Sequence, residues 1–201
     1  MKTMYLIVAG IIWAFACHTG LAQDAGKTFP NDSVEKKFYK ERYDVNDYSS
    51  STNLRSSGPP ITSISIWNKN KDVWRGRLSN SNGCSKIKES DPIADVIKKA
   101  LSKAKIKTLA SGDNSRIEIY FFYNVKTGKV VYTGFRLSGV ALSEDIHSET
   151  ALTLRDIYRL ETLLKGYRFI IPEGCANRDT NDSCGTFALF FRFSKLVEEA
   201  K

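Results

Sequence analysis

The chain has 201 residues, and 30 Lys and Arg against 22 Asp and Glu give it a formal net charge of +8 at pH 7. This length predicts one domain of ordinary size with a tail, and beyond the N-terminus no apolar segment is long enough to span a membrane. The basic residues are spread out without a block of five or more, which is typical of a solvated surface, with weak attraction to anionic lipid or polysaccharide left open.

The N-terminus has the features of a secretory signal peptide. Lys2 is the only charged residue before Asp24, and residues 5–17 are all apolar, small or aromatic. Gly20 and Ala22 place small residues at the −3 and −1 positions of a signal-peptidase site, so we expect residues 1–22 to be removed. The mature protein is then exported to the periplasm, the outer membrane or the extracellular space, where nucleic acid is not an expected partner.

Cys17 leaves a second reading of this N-terminus open. Residues 14–17 are Ala-Phe-Ala-Cys, which resembles a lipobox with Ala at the position where Leu is usual. Lipidation of Cys17 would anchor the protein to a membrane outside the cytoplasm. An uncleaved anchor is a further alternative, although the apolar stretch is shorter than the ~20 residues of a spanning helix.

Residues 23–60 are predicted to be a flexible tail or linker. The segment ends in a Ser-, Gly- and Pro-rich stretch, and its apolar residues follow no sustained period. Such a segment cannot bury enough surface to offset the entropy of ordering it. A short helix over residues 33–42, with Ser33 as its N-cap, remains open. Residues 61–201 then form a single domain.

The first part of this domain is predicted to contain strands followed by a helix. Residues 61–67 alternate as a strand does, and a second short strand covers residues 73–78. Asp91 is expected to cap the helix, with Pro92 in its first turn. Apolar residues then recur at spacings of three and four as one stripe, formed by Ile93, Val96, Ile97, Ala100, Leu101 and Ala104.

The second part is predicted to be a hairpin, a helix and two strands. The hairpin strands, residues 117–125 and 129–137, flank a turn in which Gly128 is free to take positive φ. Thr153 and Asp156 form a capping-box arrangement before an apolar stripe, and Gly166 is a natural left-handed C-cap. Strands at residues 167–171 and 187–193 follow. The sequence therefore predicts an α+β fold in two layers, a mostly antiparallel sheet with two helices on one face.

Residues 92–194 resemble the C-terminal domain of TonB-type energy transducers. The likeness is carried by the hairpin FFYNVKTGKVVYTGFRLSG, the segment GYRFIIPEG after the second helix and the final strand FALFFRF. In that family the final strand lies at the edge of the sheet. The cleavable signal and the presence of five prolines in all differ from the family's membrane anchor and Pro-rich spacer. The chain is also similar to small secreted proteins of unknown function from Bacteroides-type bacteria.

Three cysteines remain after signal cleavage. In an oxidising compartment Cys175 and Cys184 are expected to form a disulfide that closes a polar loop, a gain of about 2–3 kcal/mol in the chain-entropy model. Cys84 is left over.

Asp179 and Asp182, with Asn177 and Asn181, offer oxygen ligands of the kind that Ca²⁺ prefers, but turns favour Asn and Asp in any case, so no metal is expected. No cofactor motif is present, so no cofactor is expected.

The resemblance implies a non-enzymatic interaction module that binds an envelope protein or peptide. An edge strand offers unpaired N–H and C=O groups to an extended partner segment. The strand expected to do so consists of Thr186, Phe187, Ala188, Leu189, Phe190, Phe191, Arg192 and Phe193. Within it, Phe187, Leu189 and Phe191 are expected to supply selectivity.

Two other function classes stay open. A ligand- or glycan-binding or inhibitor domain would use Tyr120, Phe122 and Tyr132 of the hairpin, or the region from Trp67 to Trp74. A hydrolase is the less favoured class, with Glu118 or His147 as its candidate group. No catalytic residue is assigned.

Overall fold

The computed structural model describes residues 27–50, 61–69, 88–112, 114–172 and 184–198. The signal peptide with Cys17, the predicted strand at residues 73–78, and the positions of Trp74, Cys84 and Cys175 lie outside these ranges. Within them, five helices and nine strands are present. The helices are α1 (Asp32–Arg42), α2 (Ile93–Ala100), α3 (Lys103–Ala110), α4 (Leu154–Leu164) and α5 (Phe193–Glu198). The strands are β1 (Tyr43–Ser50), β2 (Ile61–Asn68), β3 (Lys88–Glu89), β4 (Arg116–Asn124), β5 (Val130–Ser138), β6 (Leu142–Ser143), β7 (Leu152–Thr153), β8 (Phe169–Ile170) and β9 (Cys184–Arg192).

A five-stranded sheet of order β1-β2-β5-β4-β9 organises the described part of the chain. All neighbouring strands in it are antiparallel. The prediction of an α+β fold with a mostly antiparallel sheet is confirmed. None of the described helices is both long and apolar enough to cross a membrane.

One face of the sheet is buried in the hydrophobic core. Ile66, Phe135 and Ile119 lie side by side on β2, β5 and β4, and all three are buried. They join a single cluster with the apolar stripes of the helices, including Ile93, Ile97, Ile157, Leu160 and Leu164. Burial of each such side chain contributes about 1.5–3 kcal/mol. The predicted stripe residues of both helices therefore contribute to the core, apart from Ala104, which is exposed.

The predicted hairpin is confirmed, with one irregularity. Phe122 pairs with Tyr132, but Tyr123 pairs with Val130, so Val131 is an extra residue in β5. Such a β-bulge shifts the alternation of side chains by one position. Gly128 has a φ of 67°, and a Cβ there would lie 2.0 Å from the Phe169 carbonyl oxygen, so the turn requires glycine.

The prediction of a flexible tail is wrong for residues 32–50. They form α1 and β1, and β1 pairs with β2 from Tyr43 opposite Asn68 to Ser50 opposite Ile61. The side chain of Asn31, not Ser33, caps α1 by accepting a hydrogen bond from the Val34 amide at 3.0 Å. Tyr39 and Tyr43 are only 1% and 3% exposed. These rings pack into the core built by later residues, so local composition underestimated the apolar surface that this segment buries.

The first predicted helix is divided in two. Helix α2 ends at Ala100, and the Ser102 hydroxyl accepts a hydrogen bond from the Lys105 amide at 3.1 Å to begin α3. Asp91 does not cap α2, because the Ile93 amide donates to the Glu89 carboxylate at 2.9 Å instead. The apolar stripe predicted one continuous helix, but the N-cap formed by Ser102 begins a second helix within the stripe.

The predicted start and end of α4 are confirmed. Thr153 and Asp156 form a reciprocal capping box, and Gly166 has a φ of 92°. The strand predicted at residues 167–171 is shortened to β8, which pairs with β3. Asp156 also forms an ion pair with Lys105 on α3, which connects the first turn of α4 to a second helix.

Candidate binding sites

The last strand, β9, is at one edge of the sheet. It pairs with β4 over its whole length, from Arg192 opposite Arg116 to Cys184 opposite Asn124. Among the described residues no strand pairs with its other side. Alternate backbone N–H and C=O groups of an edge strand point away from the sheet. The outer edge of β9 is therefore able to accept another extended segment.

Side chains of β9 alternate between the core and the opposite face. Phe187, Leu189 and Phe191 pack against the core, so the prediction that they select a partner is not supported by their placement. The exposed side chains are Thr186, Ala188, Phe190 and Arg192. Phe190 is 68% exposed, the highest value for a large hydrophobic residue in the described part of the chain.

The predicted edge strand is wrong at its last residue, Phe193. It begins α5 rather than ending β9, and its side chain is 0% exposed. Its amide donates to the Ser115 carbonyl at 3.1 Å. Phe193 therefore holds the end of β9 against the domain and is not available to a partner.

A groove of about 380 Å³ runs beside the C-terminal end of β9. It lies between β9, α2 and α5, and is lined by Ala94, Phe190, Phe191, Arg192, Lys195 and Leu196. Arg192 is directly opposite Arg116 on β4, and both side chains are exposed. Like charges opposite each other across two strands are mutually destabilising. This end of the edge therefore favours an anionic neighbour.

Aromatic side chains form a cluster on the sheet face opposite the core. The Trp67 ring centroid is 5.5 Å from that of Tyr120 and 6.3 Å from that of Tyr132. Phe122 is 5.4 Å from Tyr132. The indole lies directly over Gly134, where a Cβ would be 2.1 Å from an indole carbon. The structure thus brings together Trp67 and the three hairpin aromatics predicted as a ligand surface, while Trp74 lies outside the described residues.

A polar network centred on Glu161 joins α4 to the N-terminal segment. The Glu161 Oε2 accepts hydrogen bonds from the Arg42 Nε and Nη2, each at 3.0 Å, and from the Tyr43 hydroxyl. Its Oε1 accepts from the Asn68 Nδ2 at 2.6 Å. The Tyr132 hydroxyl donates to the Asn68 carbonyl oxygen at 2.9 Å. One carboxylate therefore connects α1, β1, β2 and α4.

Burial and the Glu161 charge shift the pKa values of this network. Burial, followed by Glu161, raises the pKa of Tyr43 far above its usual range. The same two causes raise the pKa of Tyr132 to about 12. Burial by itself lowers the pKa of Arg42, but Glu161 and Tyr43 outweigh it and raise the pKa above the ordinary value. Both phenols therefore stay protonated as hydrogen-bond donors at physiological pH.

We expect the free energy of unfolding to fall as the pH rises above about 10. In the unfolded chain Tyr43 and Tyr132 ionise near the ordinary tyrosine pKa of about 10, whereas their folded pKa values are higher. A raised folded pKa gives stability that is complete below the unfolded value and is lost as the pH approaches the folded one. Denaturant unfolding of the parent and of Tyr132→Phe at a series of pH values, from 10 toward the folded Tyr132 pKa of about 12, measures this loss. If the free energy of unfolding falls with pH as steeply in Tyr132→Phe as in the parent, the expectation is contradicted.

The Glu161 network forms one wall of a larger depression, which we call the α4 cleft. It has a volume of about 430 Å³ and lies between the C-terminal half of α4 and the bulged end of β5. Its polar lining includes Asn68, Tyr132, Thr133, Glu161, Thr162 and Lys165. The cleft therefore combines a compensated carboxylate with hydroxyl groups and a lysine.

The two candidate catalytic groups, Glu118 and His147, lie on the sheet face and on an exposed loop. Glu118 lies on the sheet face, with one carboxylate oxygen 3.9 Å from Arg136. His147 is exposed, its Nε2 3.2 Å from Asp32 and its Nδ1 3.4 Å from Arg155. Neither residue lines the groove beside β9 or the α4 cleft. This placement gives a hydrolase function no positive support.

Only one of the two cysteines of the predicted disulfide, Cys184, is among the described residues. Cys184 is the first residue of β9, opposite Asn124. Cys175 lies outside the described residues, so the pairing stays a prediction. The same holds for lipidation of Cys17.

Sequence reasoning missed Arg42, Tyr43 and Glu161 as a group. Tyr39 and Tyr43 are four residues apart, a spacing that can align aromatic side chains at the end of a helix. Glu161 follows Leu160 on the flank of the α4 apolar stripe, where a charged residue needs a partner if it is buried. These signals were present, but nothing local relates residue 42 to residue 161.

Comparison with known proteins adds a structural neighbour. No family model matches the chain, and no curated protein matches it. Among solved structures, a DUF5043 family protein from Bacteroides uniformis ATCC 8492 has 15% sequence identity and a TM-score of 0.42. The alignment covers 72% of this chain and 86% of that chain. At this similarity the proposals below depend on the residues of this chain alone.

Proposed function

We propose that the protein is a non-enzymatic binding module of the cell envelope, which adds an extended partner segment to the outer edge of β9. The observation that carries the proposal is the position of β9: nine residues long, last in the sheet and unpaired on one side within the described part of the chain. Main-chain hydrogen bonds would supply the affinity of such an added strand.

The side chains of the β9 edge support a partner of defined chemistry. Phe190 is exposed beside a groove that is partly apolar, so an apolar residue of the partner would pack there. Arg192 and Arg116 lie opposite each other nearby. A partner carboxylate between the two guanidinium groups would relieve their repulsion. We therefore propose an extended peptide with an apolar residue followed by an acidic one.

The opposite edge of the sheet differs in charge. Strand β1 carries Asp44 and Asp47 and pairs only with β2 among the described strands. Acidic residues on an edge repel an acidic peptide and attract a basic one. The sign of the charge on the peptide therefore distinguishes binding at β9 from binding at β1.

Two predictions from the sequence are part of this proposal. Export by the signal peptide at residues 1–22, with lipidation of Cys17 as its alternative, places the partner in the periplasm or at the outer membrane. The resemblance of residues 92–194 to the TonB C-terminal domain suggests the same use of the last strand. Mass spectrometry of the mature N-terminus tests the first of these.

The aromatic cluster favours a second candidate function. Trp67 and Tyr120 are only partly buried on the sheet face, and exposed aromatic rings stack on sugars and other ring compounds. A ligand- or glycan-binding domain would use this face. A glycan that quenches Trp67 fluorescence would favour this alternative over strand addition, provided that substitutions in β9 leave the quenching unchanged.

Strand addition is tested with an array of ten-residue peptides of alternating β-branched residues that carry acidic, neutral or basic ends. We expect the acidic peptides to bind, and backbone amide signals of β9 to change in an NMR titration. Phe190→Ser, which removes the apolar ring without adding a charge, is expected to weaken binding at least about ten-fold, equivalent to about 1.4 kcal/mol. Ile170→Ser, which alters an exposed apolar residue on β8, is the matched control and should bind as the parent does.

Three results would contradict the proposal. The first is that no peptide of the array binds the folded protein. The second is that Phe190→Ser binds as tightly as Ile170→Ser. The third is that the perturbed amides belong to β1 rather than to β9.

A further inference from the structure

The outer edge of β9 lacks the features that usually prevent an edge strand from pairing with another copy. Natural edge strands are protected by prolines, lysines, inward-pointing charges or β-bulges. From Gly185 to Phe191 the strand has no proline and no charged residue, and its register with β4 is unbroken over all nine residues of β9. Its one charge, on Arg192, is at the C-terminal end. Such an edge favours pairing with another extended segment, including a second β9.

The order of side-chain sizes along β9 is complementary to itself. Two β9 strands that pair antiparallel about a two-fold axis at Ala188 overlap along their whole length, and moving the axis by one residue shortens the overlap by two. The pairs across the axis are Gly185 with Phe191, Thr186 with Phe190, Phe187 with Leu189, and Ala188 with its own copy. On each face of the sheet a phenylalanine therefore lies opposite a small residue, which suits cross-strand packing.

The same register covers the exposed ring of Phe190 and separates the two arginines. Phe190 is 68% exposed, and it would pack on Thr186 and Ala188 of the second copy, which are both exposed. Each Arg192 is opposite Cys184 of the other copy. The two guanidinium groups are therefore eight residues apart along the junction (192 minus 184), about 26 Å. Since the Debye length is about 8 Å at physiological ionic strength, their repulsion is screened.

This pairing extends the sheet and keeps both hydrophobic cores on the same side. Phe187 and Leu189 face the core in each copy, and a two-fold axis perpendicular to the sheet preserves that side. The result is one antiparallel sheet of ten strands, five from each copy. Both of its outer edges are then β1 strands, which carry Asp44 and Asp47. Like charges oppose the pairing of these edges, so association stops at two copies.

Pairing of β9 with the acidic β1 of a second copy is less favourable, although the charges are opposite. In a fully antiparallel sheet of five strands the first and the last run in the same direction, so β1 is parallel to β9. A β9–β1 junction that keeps both cores on one side is therefore parallel, the slightly weaker arrangement. It would place Arg192 and Asp44 at opposite ends of the junction, where they do not attract each other.

We propose that two copies of the chain pair through β9, about a two-fold axis at Ala188, when no partner is bound, and that a partner peptide binds by displacing the second copy. The inference rests on the proposed function, because it concerns the same edge. An edge-to-edge junction of two single strands belongs to the smallest interfaces, below about 1,200 Å². We therefore expect a weak dimer, with a Kd of about 0.1 mM, which a peptide is able to displace.

Sedimentation equilibrium of the mature protein, from about 10 µM to about 1 mM, measures this dimer. The average mass is expected to rise toward twice the monomer mass over that range. Addition of the acidic peptide is expected to return it to that of a monomer with one peptide. The apparent Kd of the peptide should also increase with protein concentration, because only the monomer has a free β9 edge.

Charged substitutions at the axis test the register. Ala188→Lys and Ala188→Glu each place two like charges directly opposite each other, and each is expected to weaken the dimer at least about ten-fold. An equimolar mixture of these two variants is expected to restore a heterodimer, because a lysine then faces a glutamate. Thr186→Lys and Thr186→Glu are the matched controls. Residue 186 faces Phe190 of the other copy, so mixing the two controls should give no such gain.

The dimer proposal is overturned if the parent stays monomeric at about 1 mM, or if the Ala188 mixture pairs no better than the Thr186 mixture. A monomeric parent that binds the acidic peptide through β9 ends this inference and leaves the proposed function intact. A dimer that shows the Ala188 rescue but binds no peptide supports self-pairing, overturns displacement and ends the proposed function. Ala188→Lys binds the acidic peptide at least as tightly as the parent if its edge is intact.

Discussion

Asp156→Ala is expected to lower the free energy of unfolding by about 3–5 kcal/mol, the cost of breaking a buried ion pair. The Asp156 Oδ2 accepts from the Lys105 Nζ at 2.7 Å, and the two side chains are only 5% and 6% exposed. The same oxygen accepts from the amide and the hydroxyl of Thr153, each at 2.9 Å. Alanine would leave a buried ammonium group uncompensated and remove half of the α4 capping box.

Lys105→Met is expected to cost less than Asp156→Ala, because the carboxylate keeps both donors of Thr153. The double variant Asp156→Ala/Lys105→Met should be more stable than Asp156→Ala alone, since it removes the unpaired charge. Asp95→Ala is the matched control: its carboxylate is 3.9 Å from Lys98 and exposed, so a change of at most about 0.5 kcal/mol is expected.

Denaturant unfolding at neutral pH measures all four variants. If Asp156→Ala costs less than about 1 kcal/mol, or if Lys105→Met is the more damaging change, the interpretation of this pair as a buried charge tied to a cap is wrong.

Glu161→Gln is expected to lower the free energy of unfolding by about 2–3 kcal/mol, because hydrogen bonds to a charged acceptor are replaced by bonds to a neutral one. The amide nitrogen of glutamine would face the Arg42 or Asn68 donors, which require an acceptor. The Arg42–Glu161 pair is partly exposed, so solvent screening keeps the cost below that of the Asp156 pair.

The Glu161 prediction has a regional readout as well as a global one. Arg42 and Tyr43 join α1 to β1, so loss of their common acceptor should speed hydrogen exchange of the amides of α1 and β1 more than that of β4. Glu144→Gln, an exposed glutamate paired with Lys40 at 3.1 Å, is the control. A Glu161→Gln protein as stable as Glu144→Gln, with unchanged exchange in α1, would show that the network does not hold the N-terminal segment.

Prediction from the sequence succeeded where the signal was local. The hairpin of β4 and β5 followed from alternation and a turn glycine, and α4 from a capping residue and a stripe of spacing three and four. Each signal lies within about a dozen residues and depends on backbone geometry. The division of α2 from α3 was also local, but the Ser102 cap was hidden inside an apolar pattern.

Prediction failed where a residue's environment is built by distant parts of the chain. The segment containing Tyr39 and Tyr43 is followed by a polar, Ser-rich stretch, and its apolar residues recur with no sustained period. It is ordered because β1 pairs with β2 and because the two rings fill the core beside α4. Long-range pairing of this kind leaves little trace in local composition.

By itself, then, the sequence determined the antiparallel hairpin and the ends of α4, because these follow from short-range spacing. Only the tertiary structure decided that β9 is an edge, that Phe193 is buried, and that Lys105 meets Asp156. The same is true of the α4 cleft, where Arg42, Asn68, Thr133 and Glu161 come together from four elements. Which groups become neighbours depends on how strands order and helices pack, and that is set by burial summed over the whole domain.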